Sequence, residues 1–123
     1  MIEHARRELP REAVGLVAGN ERLRATAVLP LVNRIERHAF FADPYSQYQA
    51  YQRIKAEGLT TIAVYHSHPF GGPNLSDVDV HVGERNRLLQ IVIAMSWPQG
   101  AETILHAYTI LDGIPWQIPV SED

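Results

Sequence analysis

Residues 59–79 read LTTIAVYHSHPFGGPNLSDVD. The run 59–65 is rich in β-branched side chains, which favours a strand, and it leads straight into His66-Ser67-His68-Pro69. Side chains two apart on an extended chain point the same way, so His66 and His68 project onto one face at the strand's end. Pro69 stops the strand and FGGPN at 70–74 is a loop by its Gly and Pro content. A helix then runs from residue 76 to about residue 87, with Gly83 as its weak point.

Working outward, residues 2–9 form a short helical piece that Pro10 interrupts, and VGLVAG at 14–19 is a buried strand closed by Gly19-Asn20. Glu12 therefore sits where helix passes into strand. From residue 22 to 31, Leu23, Ala25, Ala27, Leu29 and Leu31 alternate with Arg22, Arg24, Thr26 and Val28, the period of a strand with one covered face. The two strands make a hairpin. A helix follows at 43–58 (DPYSQYQAYQRIKAEG), with Asp43 as N-cap, Pro44 in the first position, Gly58 at the end, and Tyr45, Tyr48, Tyr51 and Ile54 expected as the buried stripe.

Downstream of the 59–79 stretch, residues 89–95 and 102–110 are strands joined by a turn at SWPQGA, and Asp112-Gly113 turns the chain into a last strand at 114–120. Trp97 and Trp116 are expected to pack these terminal strands. Helices and strands are interspersed and the last strands follow one another directly, so the expected fold is a mixed α/β, α+β-like domain. It has a largely antiparallel central sheet flanked by helices.

Composition narrows the function. A chain of 123 residues, 46% hydrophobic, makes one compact domain spanning 1–123. With 11 basic against 14 acidic side chains there is no electrostatic footprint for nucleic acid. The absence of cysteine removes disulfides, thiolate metal sites and a cysteine nucleophile, so any metal must use His and carboxylates. No export signal opens the chain and no run of about 18 apolar residues crosses a membrane, which makes the cytoplasm the expected compartment.

Asp79 lies 11 positions after His68, and the intervening loop can fold back to bring it to the two imidazoles. Two imidazoles and a carboxylate suit Zn²⁺ and leave its fourth tetrahedral position open, the mark of a catalytic site. Each part also has a plainer explanation. A bare H-x-H fits surface or hydrogen-bonded histidines, Ser76-x-x-Asp79 reads as a helix capping box, and Glu12 alone reads as a solvated charge beside Arg11. Asp77 is a first-turn helix charge, and His4, His38, His81 and His106 are surface or packing residues. The same His and carboxylate set also accepts other divalent ions.

Taken together, LPREAVGLVAG around Glu12 and HSHPFGGPNLSDVD resemble the JAMM or MPN+ zinc metallopeptidases, and a weaker likeness runs through LPLVN near Asn33, the helix after Asp43 and the terminal strands. The resemblance implies the cytidine-deaminase-like JAMM/MPN fold. It makes His66, His68 and Asp79 the ligands of one zinc ion. Glu12 becomes the general base, and Ser76 the hydroxyl that helps stabilise the oxyanion. It implies hydrolysis, by zinc-activated water, of an amide bond after the C-terminal Gly-Gly of a ubiquitin-like protein. Between Asp79 and Leu89 there is little room for the insertions of the larger eukaryotic members, so the chain is similar to small prokaryotic members, some of which process sulfur-carrier proteins.

The alternative is a non-catalytic scaffold of the same fold that binds a ubiquitin-like partner, which usually carries a broken motif. A nucleobase deaminase is excluded by the lack of cysteine. Members of the family usually carry a strand and a fuller helix before the segment equivalent to HARRELPRE, and here Glu12 follows Met1 by 11 residues. An exposed strand edge can pair with another subunit, giving a homodimer, or with an extended substrate tail.

Overall fold

The computed structural model describes residues 1–20, 22–35, 41–98 and 102–121. In chain order the elements are α1 (Ile2–Glu8), β1 (Val14–Gly19), β2 (Ala25–Leu31), α2 (Pro44–Ala56), β3 (Thr60–His68), α3 (Asp77–Asn86), β4 (Leu89–Ala94), β5 (Ile104–Leu111) and β6 (Ile114–Ile118). The strands form one sheet in the order β2-β1-β3-β4-β5-β6. Among the described strands only β3 and β4 run parallel, and α3 supplies the crossover that a parallel pair requires. The mixed, largely antiparallel architecture expected from the sequence is the one observed.

The period-two pattern of β1 and β3 splits the core between two faces. Val17, Ala63 and Tyr65 point to a face shared with Ile91 and Ile93, against which α1 lays Ala5, with Met1, Ile2 and Leu9 at its border. Val14, Leu16 and Val64 point to the other face, where Leu29, Leu31 and α2 residues Ala50 and Ile54 cover them. Gly15 faces Tyr65 across the β1–β3 ladder, and a Cβ there would overlap the tyrosine ring.

Several expectations need correction. In α2, Tyr45, Tyr48 and Tyr51 are exposed (67%, 60% and 44%), and the inward face is Ala50 and Ile54. A strict three-residue step falls about 60° short of a full turn, so three steps from Tyr45 carry Ile54 to the opposite side of the helix. Leu23 is exposed and precedes β2, which starts only at Ala25. Trp97 and Trp116 are also largely exposed, Trp97 meeting Phe70 edge-on with ring centroids 5.7 Å apart. His4, expected as a surface or packing residue, is a packing residue: it is buried, its Nδ1 lying 2.8 Å from the Tyr65 hydroxyl.

Other local expectations match. The Asp43 carboxylate accepts from the Ser46 N–H at 2.9 Å, capping α2. Asp112 and Gly113 both have positive φ (52° and 73°), as a two-residue primed hairpin turn between β5 and β6 requires. The edge strands β2 and β6 each carry a proline, Pro30 and Pro115, a residue confined within sheets to positions with one unpaired side. His38 and residues 99–101 of the SWPQGA turn lie outside the described residues. No helix among the described residues is long and apolar enough to cross a membrane.

Candidate metal centre

The centre of the sheet sets the site. On β3, His66 pairs with Val14 of β1 on one side and Val92 of β4 on the other, and it is fully buried. His68 lies two residues on, over the same face, and its Nε2 stands 3.0 Å from His66 Nε2. His68 Nδ1 sits 3.0 Å from the Gly72 carbonyl oxygen, which can only accept. In the neutral ring the proton therefore belongs on Nδ1, and Nε2 presents a lone pair to the site, the usual arrangement of a ligating imidazole.

Asp79 arrives from the other direction. Ser76 caps α3: its Oγ accepts from the Asp79 N–H at 3.1 Å while Asp79 Oδ2 accepts from the Ser76 N–H at 3.0 Å, a closed capping box. That fixes the carboxylate in the first turn, with Oδ2 3.2 Å from His66 Nε2 and 3.1 Å from His68 Nε2. Burial would raise the Asp79 pKa, but hydrogen bonds with His66 and His68, the His66 charge and the Ser76 N–H outweigh it and hold the group well below the usual carboxylate range. Burial would likewise lower His68, yet Asp79, the Gly72 carbonyl and Glu12 leave its pKa raised.

The three donor atoms form a nearly equilateral triangle with sides of 3.0, 3.1 and 3.2 Å. Two ligands each about 2.0–2.1 Å from a tetrahedral ion stand about 3.3 Å apart, so the residues present fit a Zn²⁺-sized cation with little adjustment. A second grouping takes Glu12 in place of Asp79, its carboxylate lying within 4.8 Å of ligand atoms on both histidines. The shorter Asp79 distances make Asp79 the better third ligand and leave Glu12 beside the triangle.

Glu12 is 9% exposed, on an irregular stretch between α1 and β1. Burial pushes its carboxyl up to about 7, with His68 pulling down and Asp79 pushing further up. Ser76 lies on the rim of the same cleft, and acting as a cap acceptor leaves its hydroxyl proton available to donate. The cleft, of about 820 Å³, opens from these groups across an apolar floor of Val14, Leu16 and Val64, between Tyr51 of α2 and Val82 of α3. His81 and Asp77 are exposed and take no part.

Residues 1–109 match the family model described as prokaryotic homologs of the JAB domain. The chain belongs to that family. This JAB domain is 41% identical over 68 residues to a Thermus thermophilus protein named "Probable TtuB-protein conjugate cleaving protease", a match covering 55% of the chain but only 46% of that relative. It is 28% identical over 123 residues to the CysO-cysteine peptidase of Mycobacterium tuberculosis, covering 98% of the chain and 83% of the relative. A Desulfitobacterium hafniense protein solved in solution superposes with a TM-score of 0.82 at 26% identity, over 96% of this chain and 82% of that one. A JAB1/MPN domain protein from Archaeoglobus fulgidus, at 18% identity and a TM-score of 0.60 over 98% and 90% of the two chains, shares the fold.

Around this JAB-domain site lie residues to which the sequence attached no role. The Tyr108 hydroxyl donates to the Pro73 carbonyl at 2.6 Å, bracing the loop that carries Gly72. Asn33 Nδ2 donates to the Glu12 carbonyl, and Ser67 Oγ accepts from the Ala13 N–H. Ser67 was open to inference, because a residue between two same-face ligands must point to the opposite face. The contacts of Asn33 and Tyr108 cross 21 and 35 residues and have no local signature.

Proposed function

We propose that the chain is a zinc-dependent peptidase that hydrolyses the amide bond following the C-terminal Gly-Gly of a ubiquitin-like, sulfur-carrier type protein. The observation that carries the reading is the donor triangle of His66, His68 and Asp79 with the Glu12 carboxylate beside it, at one end of an apolar cleft. A divalent cation bound there supplies a Lewis acid that polarises the scissile carbonyl and makes water a better nucleophile near neutral pH. The protein's own groups do the rest.

Glu12, whose burial keeps its proton affinity near neutrality, takes a proton from the attacking water as its oxygen bonds to the carbonyl carbon. It then delivers that proton to the amine nitrogen as the C–N bond breaks. Ser76 donates its hydroxyl to the carbonyl oxygen as negative charge develops there. The cleft between α2 and α3 accepts the substrate tail in extended form, its apolar floor excluding water. No covalent intermediate with the enzyme is required. The names of the two relatives, a probable TtuB-protein conjugate cleaving protease and a CysO-cysteine peptidase, support amide hydrolysis as the activity.

The test is to incubate the zinc-loaded chain with a ubiquitin-like sulfur carrier from the same organism, extended beyond its Gly-Gly, and to weigh the products by mass spectrometry. Cleavage directly after Gly-Gly is expected. Binding without cleavage would favour the scaffold reading, and cleavage at other positions would remove the substrate assignment.

A further inference from the structure

The stretch carrying Glu12 belongs to no helix or strand, since α1 ends at Glu8 and β1 begins at Val14. Backbone outside regular structure must find its hydrogen-bond partners elsewhere. Asn33 Nδ2 donates to the Glu12 carbonyl at 2.8 Å. The Ala13 N–H donates to Ser67 Oγ at 2.7 Å, and the Ser67 N–H donates to the Ala13 carbonyl at 3.0 Å. Both partners are buried, Asn33 at 2% and Ser67 at 0% exposure.

The placement of these partners gives the bonds a meaning beyond packing. Ser67 is the residue between His66 and His68, so Ala13 is tied at both its backbone groups to the spacer of the two imidazoles. Asn33 works from the opposite side. Its Oδ1 accepts from the Ile35 and Phe41 N–H groups at 3.0 Å each, and Phe41 lines the cleft. Asn33 thus links the Glu12 backbone to a wall of the substrate cleft.

We propose that Asn33 and Ser67 are positioning residues that hold the Glu12 carboxylate in register with the His66 and His68 imidazoles. A glutamate side chain has three rotatable bonds, and its reach to a neighbouring site is set first by where its backbone is held. Ser67 makes that backbone follow the metal-ligand strand, and Asn33 makes it follow the cleft wall. The inference deepens the peptidase reading and rests on it for the catalytic meaning of Glu12, while the clamp itself is a matter of geometry.

The experiment uses the full chain loaded with zinc, as wild type, Ser67→Ala, Ser67→Thr, Asn33→Ala and Asn33→Asp. Each variant should retain one zinc per chain. By nuclear magnetic resonance, exchange of the Ala13 amide should rise at least about tenfold in Ser67→Ala and stay near wild type in Ser67→Thr, which keeps the hydroxyl. A base displaced by about 1 Å costs roughly a hundredfold, so kcat should fall about 10- to 100-fold in the two alanine variants and Asn33→Asp, with KM within about threefold. Placed on Glu12→Gln, the same substitutions should leave unchanged whatever residual rate long incubation at high enzyme concentration detects, and should leave zinc content unchanged, because the group they position is already gone.

Unchanged Ala13 exchange in Ser67→Ala, wild-type kcat in the alanine variants, or an undiminished loss on the Glu12→Gln background would each overturn the inference. Should the wild type cut no carrier fusion, the peptidase reading fails separately. Crystal structures of the zinc-loaded variants then decide the clamp: a displaced Glu12 carboxylate supports it, and an unmoved one overturns it.

Discussion

Replacing Glu12 by Gln should stabilise the metal-free protein at alkaline pH while removing its activity. The Glu12 carboxyl is pushed from its ordinary value of 4.5 up to about 7, chiefly by burial. Below pH 4.5 the group is protonated in both folded and unfolded chains and contributes no difference. Between 4.5 and about 7 the folded chain holds a proton that the unfolded chain has released, so stability falls as pH rises, and above about 7 the full penalty is present.

A shift of about 2.5 units at 1.36 kcal/mol per unit makes that penalty about 3 kcal/mol, and at 9% exposure solvent screening reduces it little. Glutamine does not titrate and escapes it. His68, with its raised pKa, also loses stabilisation as pH rises, but it is present in both proteins and largely cancels in the difference. Asp79, held low, matters only below the range studied. Urea unfolding in the presence of a chelator, from pH 5 to 8, should show Glu12→Gln gaining about 2.5 kcal/mol relative to wild type across that range, the rest of the penalty developing below pH 5 and above pH 8. A difference that stays constant with pH to within about 0.5 kcal/mol would refute the reasoning.

Three further outcomes are expected. Asp79→Ala removes one corner of the donor triangle and half of the α3 capping box, so isothermal titration should show zinc affinity falling at least about 100-fold, with about 1 kcal/mol lost from metal-free stability. Tyr65→Phe leaves the buried His4 Nδ1 without its hydroxyl partner and should cost about 1–3 kcal/mol in urea unfolding, with kcat unchanged because the pair lies on the face away from the site. Ser76→Ala should lower kcat about 100-fold or more in steady-state assays with a smaller change in KM, and the lost cap should cost about 1 kcal/mol of stability.

The sequence announced the strands well because their signals are local. The β-branched run before His66, the closed VGLVAG segment and the Asp112-Gly113 turn each carry their own period or turn chemistry, and each appears where it was expected. The cluster of His66, His68 and Asp79 was legible for the same reason. Alternation on β3 and a capping box on α3 orient His66, His68 and Asp79 from short-range rules, and the structure brings the three together. What the sequence hid was long-range. Whether Tyr45 or Ala50 faces the sheet depends on how closely α2 approaches it, and the small Ala50 and Ile54 side permits the closer contact. The burial of His4 depends on Tyr65, 61 residues away, and the Glu12 carbonyl is held by Asn33, 21 residues away, neither of which has a local pattern; the inward direction of Ser67 follows from alternation, but its bond to the Ala13 N–H, 54 residues away, does not.

The central claim, a three-ligand metal site with Glu12 as its base, is tested most directly by measuring zinc per chain and cleavage of a Gly-Gly-extended carrier on wild type and Glu12→Gln together. The account predicts about one zinc on each protein and cleavage by wild type alone. Equal cleavage by both would contradict the role of Glu12, and a wild type that holds no zinc would contradict the metal centre itself.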